Sequence, residues 1–199
     1  MKIYDISQEV LSCVVFPGDP APYKEQVKKM DDGELYNLSM LHMCAHNGTH
    51  VDAPYHFINQ GRAVEAIELE RFVGMAYVAE YEGVVTAEDA NNILMRAKTV
   101  DAEAGKRILI KGNAVISLEA AEVFADEGIL LVGNESQTVG PEDAPMEVHK
   151  VLLEVNVVLL EGIRLAEVTE GAYLLNAAPL NIAGADGAPC RAILIALER

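Results

Sequence analysis

Between His42 and His56 the chain carries four of its five histidines, and Asn47-Gly48 and Ala53-Pro54 interrupt that stretch. No other segment restricts the backbone as much. His46 and His50 are four residues apart, a spacing that would put both on one face of a helix. The Asn47-Gly48 pair between them favours a tight turn instead. The pattern predicts a strand delivering His46, a glycine turn, and an extended segment in which His50 and Asp52 point the same way. Ala53 precedes a proline and is biased to stay extended, which carries the chain on to His56. Two imidazoles and a carboxylate converging around an open position make the shell of a catalytic, rather than a structural, metal site. The competing reading is a solvated loop with scattered polar side chains.

A chain of 199 residues, 51% of them hydrophobic, can bury one substantial core. No repeat, linker or low-complexity tract divides it, so residues 1–199 read as a single domain. The net charge of −16 excludes nucleic acid as a partner, since phosphates would be repelled. Cys13, Cys44 and Cys190 are an odd set without CxxC spacing and read as free thiols in a reducing cytoplasm. The opening residues lack the apolar core of a signal peptide, and no apolar run approaches the roughly 20 residues that span a bilayer. The chain thus reads as soluble and cytoplasmic, with no membrane partner.

The first sixty residues are β-rich and irregular. Lys2–Ile6 reads as a short strand, Phe16–Pro20 as a loop, and residues 23–29 and 36–43 as paired strands. After residue 70 the pattern becomes α/β. Strands are predicted at 73–81, 108–111, 129–132, 157–160 and 192–197. Thr86 with Asp89 caps a helix to about Ala97, and Ser117 caps one that Gly128 ends. Pro141 is placed at the start of a helix that runs past His149 to about Leu153. The fold class is α/β: a central mixed sheet with flanking helices, both faces covered, and a β-rich N-terminal arm.

The run from His46 to His56 matches the pattern HxGTHxDxPxH and resembles the metal-dependent cyclase-like hydrolases, which include bacterial kynurenine formamidase and isatin hydrolase. Asp5-Ile6-Ser7 and Phe16-Pro17-Gly18-Asp19 resemble that family's opening. Ala178-Pro179-Leu180 and Gly187–Ala192 resemble its closing segment. The resemblance implies a swivelling β/β/α-like fold in which His46, His50 and Asp52 bind one metal, Asp52 binds or bridges two, and His56 is the general acid/base. It also implies that His149 and Glu161, twelve residues apart, complete the ligands. Read alone, His149 is an exposed helix residue and Glu161 a strand-end carboxylate with no role.

The implied activity is hydrolysis of a non-peptide C–N bond, in a linear or cyclic small-molecule amide, through metal-activated water. One or two divalent ions per subunit would serve, zinc first and manganese second, in a homodimer or homotetramer. Phe16 stands where the formamidases carry a tryptophan against their aromatic substrate; this chain has none, which puts kynurenine specificity in doubt. His42 and Cys44 read as surface or core residues rather than ligands. Glu135 and Ser136 read as a polar loop before they read as substrate contacts. Two readings compete: a metal-dependent cyclase or dehydratase acting on a small organic acid, and a non-catalytic metal-binding oligomer. No GxSxG elbow, phosphate loop or dinucleotide fingerprint supports other chemistry, Gly184–Gly187 reads as a turn, and Cys190 lacks a base to make it a nucleophile.

Overall fold

Apolar runs too short for helices occupy the middle of the molecule, and they become strands buried on both faces. The computed structural model describes residues 1–197, so the last two residues of the expected domain lie outside the described part. The chain opens with β1 (Lys2–Asp5), the pair β2 (Tyr23–Lys28) and β3 (Leu38–His42), and the short β4 (His50–Asp52). β5 (Val73–Glu80), β6 (Gly83–Val85), α1 (Ala87–Val100), β7 (Arg107–Lys111) and β8 (Ala114–Ile116) follow. Next come α2 (Leu118–Asp126), β9 (Leu131–Asn134), α3 (Met146–Glu154) and β10 (Val158–Glu161). β11 (Gly171–Asn176), β12 (Gly187–Pro189) and β13 (Ile193–Ala196) complete the described chain.

Nine strands form one sheet in the order β1-β13-β11-β5-β7-β9-β10-β4-β12. The four middle strands, β5, β7, β9 and β10, are parallel, and α1, α2 and α3 connect them in turn. Parallel neighbours need such crossovers, which explains why strand and helix alternate here. The outer strands pair antiparallel. On one face, Ile93, Phe124 and Leu152 of the three helices pack on Tyr77, Ile108, Ile110, Val132 and Leu159. The alternate strand residues Leu109, Leu131, Val158 and Leu160 point the other way. There Val51 and Leu194, from strands near opposite ends of the order, share one cluster with Phe72, Ile163 and Leu175. The mixed sheet is therefore curled over its own second face. Both faces are covered as expected, one by helices and one by the curl.

Local signals hold where capping chemistry is explicit. The Thr86 hydroxyl and Asp89 carboxylate form a reciprocal box at the start of α1, and the Ser117 hydroxyl accepts from the Ala120 N–H. Gly128, at φ +67°, ends α2 in the left-handed region. Pro141 does not start α3. A turn closed by the Ala144 N–H on the Pro141 carbonyl comes first, and the helix begins at Met146. β11 escaped the sequence reading because its Gly171-Ala172 start is weak strand chemistry, yet it lies between β5 and β13. β2 and β3 pair antiparallel as expected, and much of that arm's apolar surface is exposed. No helix among the described residues is long and apolar enough to cross a membrane.

Phe124 is fully buried where α2 meets the sheet. Phe124→Ala should destabilise the protein by about 3–5 kcal/mol, the usual cost of an aromatic cavity in a core. Urea unfolding of the two proteins checks this; a cost below about 1 kcal/mol would mean the helix layer is not anchored there.

Candidate functional site

β4 lies between β10 and β12, and its register sets His50 opposite both Glu161 and Pro189. His50 and Asp52 project to the same side, as their spacing requires, with His50 Nε2 3.4 Å from Asp52 Oδ1. No strand delivers His46, because β3 ends at His42. Instead the buried Asn47 folds the chain: its side-chain carbonyl accepts from the Cys44 N–H at 3.0 Å, and Gly48 takes φ +72°. That turn places His46 against Asp52, Nδ1 to Oδ1 at 2.9 Å. The extended run also stops short of His56, since Pro54–His56 is a single 3-10 turn closed by the His56 N–H on the Ala53 carbonyl. Gly187 gives the His46 ring its room; a Cβ there would lie 2.7 Å from Cε1.

Three imidazoles share one pattern. His50 donates from Nδ1 to the Gly48 carbonyl at 3.0 Å and turns Nε2 toward Glu161 Oε2 at 3.3 Å. His149 donates from Nδ1 to the Pro145 carbonyl at 2.8 Å and turns Nε2 toward Glu161 Oε1 at 3.2 Å. His46 has Asp186 Oδ2 at 2.8 Å from Nε2 and Asp52 at Nδ1. Each ring thus has one nitrogen held by an outer acceptor and the other aimed at a buried carboxylate. That is how the outer partners of metal-binding histidines orient them. A neutral imidazole lone pair facing a carboxylate is repulsive unless a proton or a metal cation lies between them. Asp52 Oδ2 sharpens the point: it is buried, it has no hydrogen-bond partner, and His149 Nε2 stands 3.5 Å from it. A buried carboxylate oxygen left bare is costly. Three donor sets among the described residues are close enough to hold an ion: His46–His50–Asp52 and Asp52–His149–Glu161, with Asp52 common to both, and the less buried His46–His56–Asp186. The residues fit a metal.

Titration follows the same arrangement. Burial opposes charge on His46, His50 and His149, but attraction to the facing carboxylates outweighs it and raises all three to about 10. Burial works against charge on Asp52 too, yet the surrounding imidazoles hold its carboxyl well below the usual range. His56 behaves oppositely, burial pushing it below its usual 6.5.

A cavity of about 360 Å³ opens onto this centre. His46, His50, His149 and Glu161 meet at its floor, and His56 and Phe16 line its wall, as do Phe57 and Pro145. His149 is 3% exposed, so it is not the exposed helix residue it suggests in isolation, and the strand-end Glu161, at 2%, is buried against His50 and His149. His42 lies elsewhere, stacked on Tyr23 and 3.3 Å from Glu25. The Cys44 thiol lies 3.8 Å from Asp19 Oδ2. Glu135 does not line this cavity and is not a plain solvated side chain: its carboxylate accepts the N–H groups of Gly112 and Leu165 and ties two loops together. Burial lifts the Cys190 thiol to about 12, which leaves it inert. The sequence reading missed Asp186 and Thr138, both facing the cavity. Asp186 sits between an alanine and a glycine, a context that signals only a turn.

The raised histidines set a pH dependence for the metal-free protein. A group held above its unfolded value adds stability below that value and loses it as pH rises through the folded one. The metal-free protein should therefore melt at progressively lower temperature between pH 6.5 and about 10. A bound divalent ion takes the place of those protons and should flatten the slope. Melting curves with and without zinc check this; parallel curves would count against the centre.

Residues 4–141 match the family described as putative cyclase. A kynurenine formamidase of Salinibacter ruber is 33% identical, the likeness covering 98% of this chain and 97% of that protein. A second, from Erythrobacter litoralis, is 32% identical over 97% of this chain and 93% of its own length. The solved structure of a potential metal-dependent hydrolase with cyclase activity superposes with TM-score 0.82 at 27% identity, covering 100% of this chain and 99% of its own. An isatin hydrolase bound to thioisatinate shares the fold, with TM-score 0.81 at 18% identity over 99% and 93% of the two chains. With a family match over most of its length and a third of its residues shared with a full-length relative, this chain belongs to the cyclase family.

Proposed function

We propose that this protein is a metal-dependent hydrolase of a small-molecule amide, linear or cyclic, cleaving a non-peptide C–N bond in the manner of an arylformamidase. The observation that carries the reading is the buried Asp52, which faces three outwardly anchored imidazoles at the floor of an open cavity. The kynurenine formamidases among its relatives support the amide, and the metal-dependent hydrolase of the same fold supports the metal. His46, His50 and Asp52 would hold one ion, and Asp52, His149 and Glu161 a second. Histidine and carboxylate without thiolate suit zinc, with manganese next. When bound, the metal supplies Lewis acidity toward the amide carbonyl and brings the pKa of water down to about 7.

The rest falls to the chain's own groups. Phe16, Phe57 and Pro145 give the cavity apolar walls for a flat, aromatic acyl or amine portion. His56 is partly buried and neutral at neutral pH, so it can take a proton from attacking water and return it to the departing nitrogen. A purely metal-binding protein has no use for such a residue, and a dehydratase would lack the support that the formamidases give. The exposed Tyr23, Leu38, Met40 and Leu41 on the β2–β3 arm support a homodimer or tetramer. The three free thiols support a reducing, cytoplasmic setting.

His56→Ala should lower kcat by about 10²–10⁴ while keeping its metal. His50→Ala should lose both metal and turnover. Metal content by mass spectrometry, measured beside turnover of N-formyl arylamines, cyclic imides and lactams on the same sample, tests the reading. Full metal with no hydrolysis across that panel would overturn it, and loss of metal from His56→Ala would make His56 a ligand instead.

A further inference from the structure

We infer that Asp186 is the positioning carboxylate of this site, one oxygen fixing the rings of both His46 and His56. What those rings do rests on the hydrolase reading above; where they lie does not. Asp186 Oδ2 stands 2.8 Å from His46 Nε2 and 3.3 Å from His56 Nδ1. The two rings stack with centroids 4.1 Å apart and planes 29° from parallel. Two imidazoles have little intrinsic reason to adopt that arrangement, and a shared acceptor at their edge supplies one.

The consequence is a choice of tautomer. An ionised carboxylate only accepts hydrogen bonds, so the nitrogen facing it must carry the proton. For neutral His56 that is Nδ1, which leaves the lone pair on Nε2, the nitrogen that must take and return a proton. For His46 it is Nε2, which directs Nδ1 at Asp52 Oδ1. A carboxylate behind a working imidazole plays this orienting part in hydrolytic triads and behind metal-bound histidines. Here one side chain would serve both kinds of ring.

Its placement is fixed through the backbone. The Asp186 carbonyl accepts the Ala53 N–H at 2.9 Å, from the residue that joins Asp52 to the His56 turn. The preceding Ala185 carbonyl accepts the Val64 N–H at 2.9 Å, and the following Gly187 pairs with Asp52 across β12 and β4. The segment bearing the carboxylate is thus bonded directly to the segment bearing its targets. None of these bonds involves the Asp186 side chain, so a substitution there leaves the main-chain frame intact.

The test uses Asp186→Ala and Asp186→Asn with long-range proton–nitrogen spectra of the histidine rings at pH 8. Spectra are recorded on metal-free protein and on protein loaded with diamagnetic zinc. His56 in the unaltered protein should show the Nδ1–H tautomer in both. Asp186→Ala should move it toward Nε2–H and lower kcat by about 10–100-fold, with KM little changed and zinc per chain at saturation unchanged. Asp186→Asn keeps an acceptor oxygen and should recover part of both effects. An Nδ1–H ring surviving in Asp186→Ala with kcat intact would overturn the inference. Loss of a zinc equivalent at saturation would overturn it as well, by making Asp186 a ligand. Should the amide panel fail altogether, the ring spectra still decide the positioning role.

Discussion

Two carboxylates, Asp52 and Glu161, are buried to within a few percent of completely, and the rest of the site is arranged around that fact. Removing two negative charges from water costs several kcal/mol each unless positive charge or hydrogen bonds answer them. The chain answers with the nitrogens of His46, His50 and His149, and with the Val139 N–H, which reaches Glu161 Oε1 at 2.8 Å. It leaves Asp52 Oδ2 unanswered. A fold that needed these groups only for stability would gain from apolar replacements of similar volume. Keeping them, with one oxygen bare, makes sense where a cation completes the cluster.

The topology explains how groups so far apart in sequence converge. Glu161 is the last residue of β10, at the carboxyl end of a parallel strand, where α/β folds gather their functional groups. β4 joins the sheet antiparallel to β10, which lays His50 beside Glu161 instead of at the far end of the strand. α3 precedes β10 and carries His149 back over the same end. β12 then closes the edge and brings Asp186 to the neighbouring segment. The curl of the sheet buries Val51 beneath the functional side of β4, so the strand that presents the histidine and carboxylate is also a core strand.

Much of this is legible in the sequence because it depends on short-range chemistry. The two-residue period puts His50 and Asp52 on one side, the Asn47-Gly48 turn excludes a helix, and the cap residues locate α1 and α2. What fails has a common cause. Alternation through residue 43 gives no reason for the strand to stop before His46; the stop comes from the Asn47 side chain capturing the Cys44 N–H. Pro141 carries the ordinary signal for a helix start, but a second proline, Pro145, sits nearer the helix and displaces it. Glu161 and His149 are ordinary residues until β10 and α3 pack together, so resemblance reaches them where spacing does not. Asp186 is a deeper case: its partners lie well over a hundred residues away, and its own surroundings describe only a turn.

The four histidines that remain once His42 is set aside show why residue type alone does not assign a role. His46, His50 and His149 each face a buried carboxylate and are driven toward positive charge, or toward a cation in its place. His56 stands about one ring's thickness from His46, yet among the described residues the carboxylate in contact with it is the half-exposed Asp186, and burial dominates. The same imidazole is thereby made a ligand-type group in three positions and a neutral, proton-ready group in the fourth. A nearby cation would widen that separation, because a positive neighbour disfavours protonation of His56 while replacing the protons on the other three. Division of labour among chemically identical side chains therefore follows from which of them the fold sets against Asp52 and Glu161.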